Sequence, residues 1–142
     1  MDDATRSLVA FVLFAGVALT SYAQSQGALH VNLTRPANTM GNTWLAVCTK
    51  DQFLGDNCAV KQQLAPTQTQ FAAALPPGTY AVQAFVDENN DGTLNQNFLG
   101  FPSEPMGFSG QVDMRYGPPR FADAAVVVHP GQTTTTRVDI EN

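Results

Sequence analysis

Basic residues are scarce and never clustered. The seven of them, Arg6, Arg35, Lys50, Lys61, Arg115, Arg120 and Arg137, are spread singly over 142 residues, and the formal net charge is −5. A nucleic-acid partner requires a basic patch that displaces counterions from phosphates, so that class is excluded. The same scarcity leaves no basic amphipathic stretch of the kind that lies along a membrane surface. Histidine is limited to His30 and His129, which stand alone and read as ordinary strand-surface residues rather than catalysts. Two cysteines with no histidine nearby cannot complete a zinc shell. Gly107-Phe108-Ser109-Gly110 lacks the spacing of a G-x-S-x-G nucleophile turn, so Ser109 reads as structural. Nor does a helical period persist over three turns.

What is present suits one domain with a real core: 44% of the residues are apolar and only 13% charged. Leu8 to Thr20 form an apolar run followed by Ser21-Tyr22-Ala23, which reads as a secretory signal cleaved after Ala23, with residues 24–142 as the mature domain. Asp2 and Asp3 offset Arg6 ahead of that run, a departure from the usual basic leader. The run is shorter than the roughly 20 residues a membrane span requires, so no span is expected in the mature form. The first cysteine, Cys48, is far from the cleavage point, which excludes a lipid anchor there. Export to the periplasm or the extracellular space follows. In that setting Cys48 and Cys58, flanking a short polar stretch, are expected to form a disulfide.

The mature part reads as short strands punctuated by Gly, Pro and Asn. Leu29, Val31 and Leu33 alternate with His30 and Asn32 as a half-buried strand. Trp44 to Val47 reads as a central strand with its rings and branches in the core. Phe71 to Leu75 leads through Pro76-Pro77-Gly78 to Tyr80–Val86, apolar on both faces. Ala122 to Val128 and the threonine-rich Thr133 to Ile140 complete the set around the Pro130-Gly131 turn. About seven such strands predict an all-β, Ig-like or prealbumin-like β-sandwich. Residues 87–121 form a connection longer than compact domains carry without a reason. A bound ion and the packing of Phe98, Phe101, Met106, Phe108 and Phe121 onto the sandwich are the expected means of holding it.

Within that connection, Asp87, Asn89, Asp91, the Thr93 carbonyl and Asn95 place oxygens on alternate residues around Gly92, the spacing that calcium loops use. The twelfth position is Phe98 and the flanks are strand and loop, so this is not an EF-hand. A bidentate carboxylate must then come from elsewhere, and Glu104 is the expected supplier, with Asn97 able to add an oxygen. Asp87, Glu88 and Asp91 repel one another unless a cation intervenes. Magnesium suits such a loop less well, since it prefers tight octahedra with several waters. The alternative is a plain Asn-Asn-Asp-Gly turn that caps its own amides.

Leu75-Pro76-Pro77-Gly78-Thr79-Tyr80, Asp87-Glu88-Asn89-x-Asp91-Gly92-x-Leu94, Gly100-x-Pro102-x-Glu104-x-x-Gly107-Phe108-Ser109 and Gly117-Pro118-Pro119-x-Phe121-x-x-Ala124 follow in order. In these blocks, over residues 75–128, the chain resembles the bacterial exported family catalogued as domain of unknown function 2141. The resemblance implies a small exported β-sandwich and no particular reaction. That family typically has His where this chain has Val86, and often Asp where it has Asn95. The resemblance therefore implies no inherited transition-metal or catalytic centre, and a calcium loop one charge weaker. The loop also resembles the D-x-N-x-D-G calcium loops of bacterial surface B-repeat sandwiches.

These readings converge on an exported, non-enzymatic sandwich, stabilised by calcium, that acts as a binding or envelope-associated module for an envelope protein or a glycan. Two alternatives stay open. One is a hydrolase acting on carbohydrate or peptide through Glu88 and Glu104 in a deep cleft. The other is a calcium-independent structural subunit associating through an edge strand.

Overall fold

A computed structural model describes residues 25–110 and 112–142. The expected leader, residues 1–23, lies outside them. Among the described residues eight strands make two sheets: β1 (Gly27–Thr34), β2 (Asn42–Cys48), β3 (Val60–Leu64), β4 (Gln70–Leu75), β5 (Gly78–Asp87), β6 (Met106–Phe108), β7 (Ala125–Val128) and β8 (Thr133–Asp139). The first sheet is ordered β4-β1-β8, with β1 and β8 parallel. The second is β3-β2-β5, and the far edge of β5 is shared, β7 pairing with its first half and β6 with its second. The protein is an all-β two-sheet sandwich.

Period-two alternation explains the central layer. Leu29, Val31 and Leu33 point inward from β1 while His30 and Asn32 are exposed. They meet Leu45 and Val47 of β2 and Tyr80, Val82, Ala84 and Val86 of β5 in one core cluster. Trp44 departs from its expected core position. It falls on the opposite face of β2 from Leu45 and Val47 and is half-buried, because strand geometry sends adjacent side chains to opposite faces. The strand β5 is apolar on both sides since its outer face is covered too. Ala81 lies in a second cluster with Phe108 and Ala124, packed against Phe53, Met106, Val112 and Phe121.

That second cluster depends on the disulfide. Cys48 and Cys58 are bonded, their Cα atoms 4.5 Å apart, and the loop they close carries Phe53 edge-on to Phe108 and Phe121, each ring centroid 5.7 Å away. Gln52 Oε1 accepts from Thr49 N and Ala59 N at the two ends of the loop. Gln83 docks it to β5, accepting from Leu54 N and donating to Gly55 O.

The expected strand over Ala122–Val128 is divided: Phe121–Ala124 is a single helical turn, α1, and only Ala125–Val128 is strand. Ser109 is structural, as its sequence context implies. Fully buried, its Oγ accepts from Val82 N at 2.8 Å and donates to Ala124 O at 2.5 Å, tying β5 to α1. The sheets also join along one side, where Met106 and Glu141 exchange backbone hydrogen bonds. A Cβ at Gly107 would stand 2.2 Å from the Asp139 carbonyl, so only glycine lets β6 lie this close to β8.

Candidate functional site

The connection leaves β5 at Asp87, which is 1% exposed although it carries a carboxylate. Its register partner is Asn42, and the preceding turn lies so close that a Cβ at Gly41 would stand 1.9 Å from the Asp87 carbonyl. The backbone then turns through two left-handed residues, Asn90 (φ 57°) and Gly92 (φ 78°), on either side of Asp91. Asparagine tolerates that conformation and glycine is free in it. This reversal aims the loop amides back at Asp87. Oδ1 accepts from Asp91 N at 3.1 Å, and Oδ2 accepts from Gly92 N at 2.8 Å and from Trp44 Nε1 at 3.1 Å. A buried carboxylate is tolerable here because three N–H groups surround it.

The remaining expected ligands lie outside this cap, nearer solvent. Asn89 Nδ2 lies 2.9 Å from Asp91 Oδ2 and 2.9 Å from Asn95 Oδ1, and Asn95 Nδ2 lies 3.0 Å from Asp91 Oδ2. Asp91 Oδ1 accepts from Thr93 N at 2.8 Å. The amides of Asn95, then the Thr93 backbone and Asn89, hold the Asp91 carboxyl below its ordinary 3.8. Asp91 therefore stays charged, and the loop keeps this contribution until the pH falls through that lowered value.

Glu104 comes back to the loop, as expected from its place in the connection, and is 7% exposed. Its Oε1 accepts from Glu88 N at 2.9 Å and its Oε2 from Asn95 N at 2.9 Å, so one carboxylate bridges the start and the end of the turn. Asn97 is elsewhere: its Oδ1 accepts from Leu99 N and Phe101 N in the next turn. Asp87, Asn89, Asp91, Thr93 and Asn95 thus share one hydrogen-bonded loop, and Glu104 meets it through backbone amides. Among the described residues no three His, Cys, Asp or Glu side chains gather as a ligand group; the set here mixes carboxylates with amides.

Trp44 is the participant that sequence reasoning placed in the core. The signal that finds it is strand parity: it lies opposite Phe85 on the outer face of the second sheet, two residues before Asp87 on the neighbouring strand. Lys61 Nζ stands 5.2 Å from the centre of its ring.

A hydrolase would want Glu88 and Glu104 in a cleft. Glu104 instead has both oxygens engaged by backbone amides, and Glu88 is exposed. Two open clefts, of about 450 and 550 Å³, lie beside β8 and the last residues of the chain, and neither is lined by Glu88 or Glu104. The aromatic packing expected for the connection holds for Met106, Phe108 and Phe121 but not for Phe98 and Phe101, which are 95% and 61% exposed. The Asn97 turn carries both outward.

Comparison with curated proteins and with solved structures gives no match. A family match does cover residues 17–136, reaching beyond the later motif blocks into the first strands; the chain belongs to the family described as an uncharacterized protein conserved in bacteria, DUF2141.

Proposed function

We propose that this is an exported, non-enzymatic β-sandwich, periplasmic or extracellular, acting as a binding or envelope-associated module whose 87–104 connection is stabilised by calcium. Among the described residues no helix is long and apolar enough to cross a membrane, and the disulfide fits an oxidising compartment. The observation that carries the calcium reading is convergence. The Asn89 amide nitrogen sits 2.9 Å from both Asp91 Oδ2 and Asn95 Oδ1. Turning that amide breaks the bond its Oδ1 accepts from Asp91 N at 3.2 Å and brings a third oxygen to the same point, an arrangement that a hard cation stabilises.

The calcium-independent reading is favoured by a different observation: the oxygens of Asp87 and Glu104 already have N–H donors. Thermal melting of residues 24–142 separates the two. A dissociation constant of about 10⁻⁴ to 10⁻³ M, as in extracellular calcium modules, gives about 1 to 2 kcal/mol at roughly 5 mM calcium. The melting temperature should rise by roughly 4 to 8 °C over the value in EDTA. Magnesium should do much less, and Asp91→Ala should abolish the rise. A flat response to calcium rejects the ion and leaves a loop held by its own amides.

A further inference from the structure

On one side of the sandwich the strand edges close on each other: bridges join Met106 to Glu141 and Ser109 to Val138, and Thr134 Oγ donates to Val127 O. On the other side, β3 carries Lys61, a charge of the kind that keeps an edge from pairing. β4 has neither device. Gln70 to Leu75 contains no charge, proline or bulge, and among the described residues no strand lies beside its outer edge. The register fixes which backbone groups face outward. Leu33 N donates to Thr69 O, so Thr69, Phe71, Ala73 and Leu75 turn their N–H and C=O toward β1, and Gln70, Ala72 and Ala74 turn theirs away. Gln68 Nε2 reaches Gln70 O at 3.4 Å, a long contact at the end of this row. On the inner face, Phe71 and Ala73 are only partly buried against the core.

We propose that β4 pairs with β4 of a second copy of this chain, antiparallel about a two-fold axis at Ala72, joining two three-stranded sheets into one continuous sheet. Three properties of the edge select this occupant. An alternating row of outward N–H and C=O groups takes an extended backbone. In this register Ala72 faces its own copy and Gln70 faces Ala74, so each outward donor meets an acceptor. The same register sets Phe71 against Ala73 on the inner face, large against small, covering two residues that one copy leaves partly open. An unrelated strand would satisfy the backbone row alone; a copy supplies the facing Phe71 and Ala73 as well. Charge also favours like with like. The formal net charge is −5, yet no charged residue occurs between Lys61 and Asp87, so two acidic molecules meet here without facing charges.

The inference goes beyond the proposed function and rests on neither reading of the loop, since pairing at β4 needs no ion. Every strand and both core clusters lie within residues 27–140, so the chain from residue 24 onward carries the whole fold. The test is sedimentation velocity on that protein from micromolar to millimolar concentration, the range a small interface implies, in EDTA and in calcium, with amide exchange read at both ends of the range. Wild type should pass reversibly from one chain to two, equally in both buffers. The amides of Gln70, Ala72 and Ala74 should gain protection as it does, while those of Phe71 and Ala73, already bonded to β1, stay protected throughout. Ala72→Pro removes two hydrogen bonds across the axis and should weaken association at least about tenfold; its N–H faces away from β1, so the single chain tolerates the ring. Ala72→Lys, at an exposed position, should weaken association too by setting like charges opposite each other, with the melting temperature of the dilute protein unchanged. A single chain at every concentration, a dimer that both variants form as well as wild type, or association without protection of Gln70, Ala72 and Ala74 overturns the proposal. Any of these with a calcium-dependent melt leaves the ion reading intact, and dimerisation without a calcium-dependent melt does the reverse.

Discussion

Asp87→Ala should cost about 3 kcal/mol, or roughly 12 °C in melting temperature for a domain of this size. The carboxylate receives three N–H donors in a place that is 1% exposed. Removing it strands Trp44 Nε1–H and the amides of Asp91 and Gly92, and a stranded buried donor costs about 1 to 3 kcal/mol, less where the loop can open to water. Asp87→Asn should cost about half as much. Its oxygen can serve the Gly92 and Trp44 donors, but its NH₂ then faces the Asp91 amide, donor against donor. Trp44 is the one tryptophan of the chain, so its fluorescence reports the site directly. In the alanine variant its emission should move toward that of an exposed indole. Unchanged melting and emission in Asp87→Ala refute this role.

Reducing the Cys48–Cys58 disulfide should lower stability by about 3 kcal/mol, the chain-entropy value for so short a ring, or roughly 12 °C. The loss is not confined to the loop. Phe53 rides on that ring and covers Phe108 and Phe121, so reduction should uncover the outer face of β5 and open residues 49–57 to protease. Phe53→Ala with the disulfide intact isolates the packing share, about 2 kcal/mol for a half-buried ring. If reduced and oxidised protein melt together, the cross-link is incidental to the fold.

Much of this fold was legible wherever alternation met burial. β1, β2, β4 and β5 announce themselves by inward-facing Leu, Val, Phe and Ala, β8 by its alternating threonines and Val138, and the sandwich follows from their number. β3 does not, because Val60-Lys61-Gln62-Gln63-Leu64 is an edge strand with only Leu64 fully buried, and periodicity has nothing to register. β6 is three residues long and hidden among glycines and prolines; its pairing with β5 is a tertiary fact. α1 takes the first three residues of the run Ala122–Val128, where Asp123 is the one polar residue and no Gly or Pro marks a boundary, so periodicity did not divide it.

At the candidate site, the spacing of Asp87, Asn89, Asp91 and Asn95 and the return of Glu104 were legible. The identity of their partners was not. Glu104 binds the backbone of Glu88 and Asn95, and Asp87 the backbone of Asp91 and Gly92, groups that every sequence possesses and no motif marks. Phe98 and Phe101 look like core residues in one dimension. Only the Asn97 turn, which caps its own amides and points outward, shows otherwise.

Two buried carboxylates hold the connection independently, Asp87 from within the turn and Glu104 across it. Residue-resolved amide hydrogen exchange on residues 24–142 tests it most directly. Glu88, Asp91, Gly92 and Asn95 should all exchange slowly in the wild type, and Glu104→Ala should release Glu88 and Asn95 while Asp91 and Gly92 remain protected. Exchange of these four amides at unprotected rates in the wild type, or their joint release in Glu104→Ala, would contradict the account.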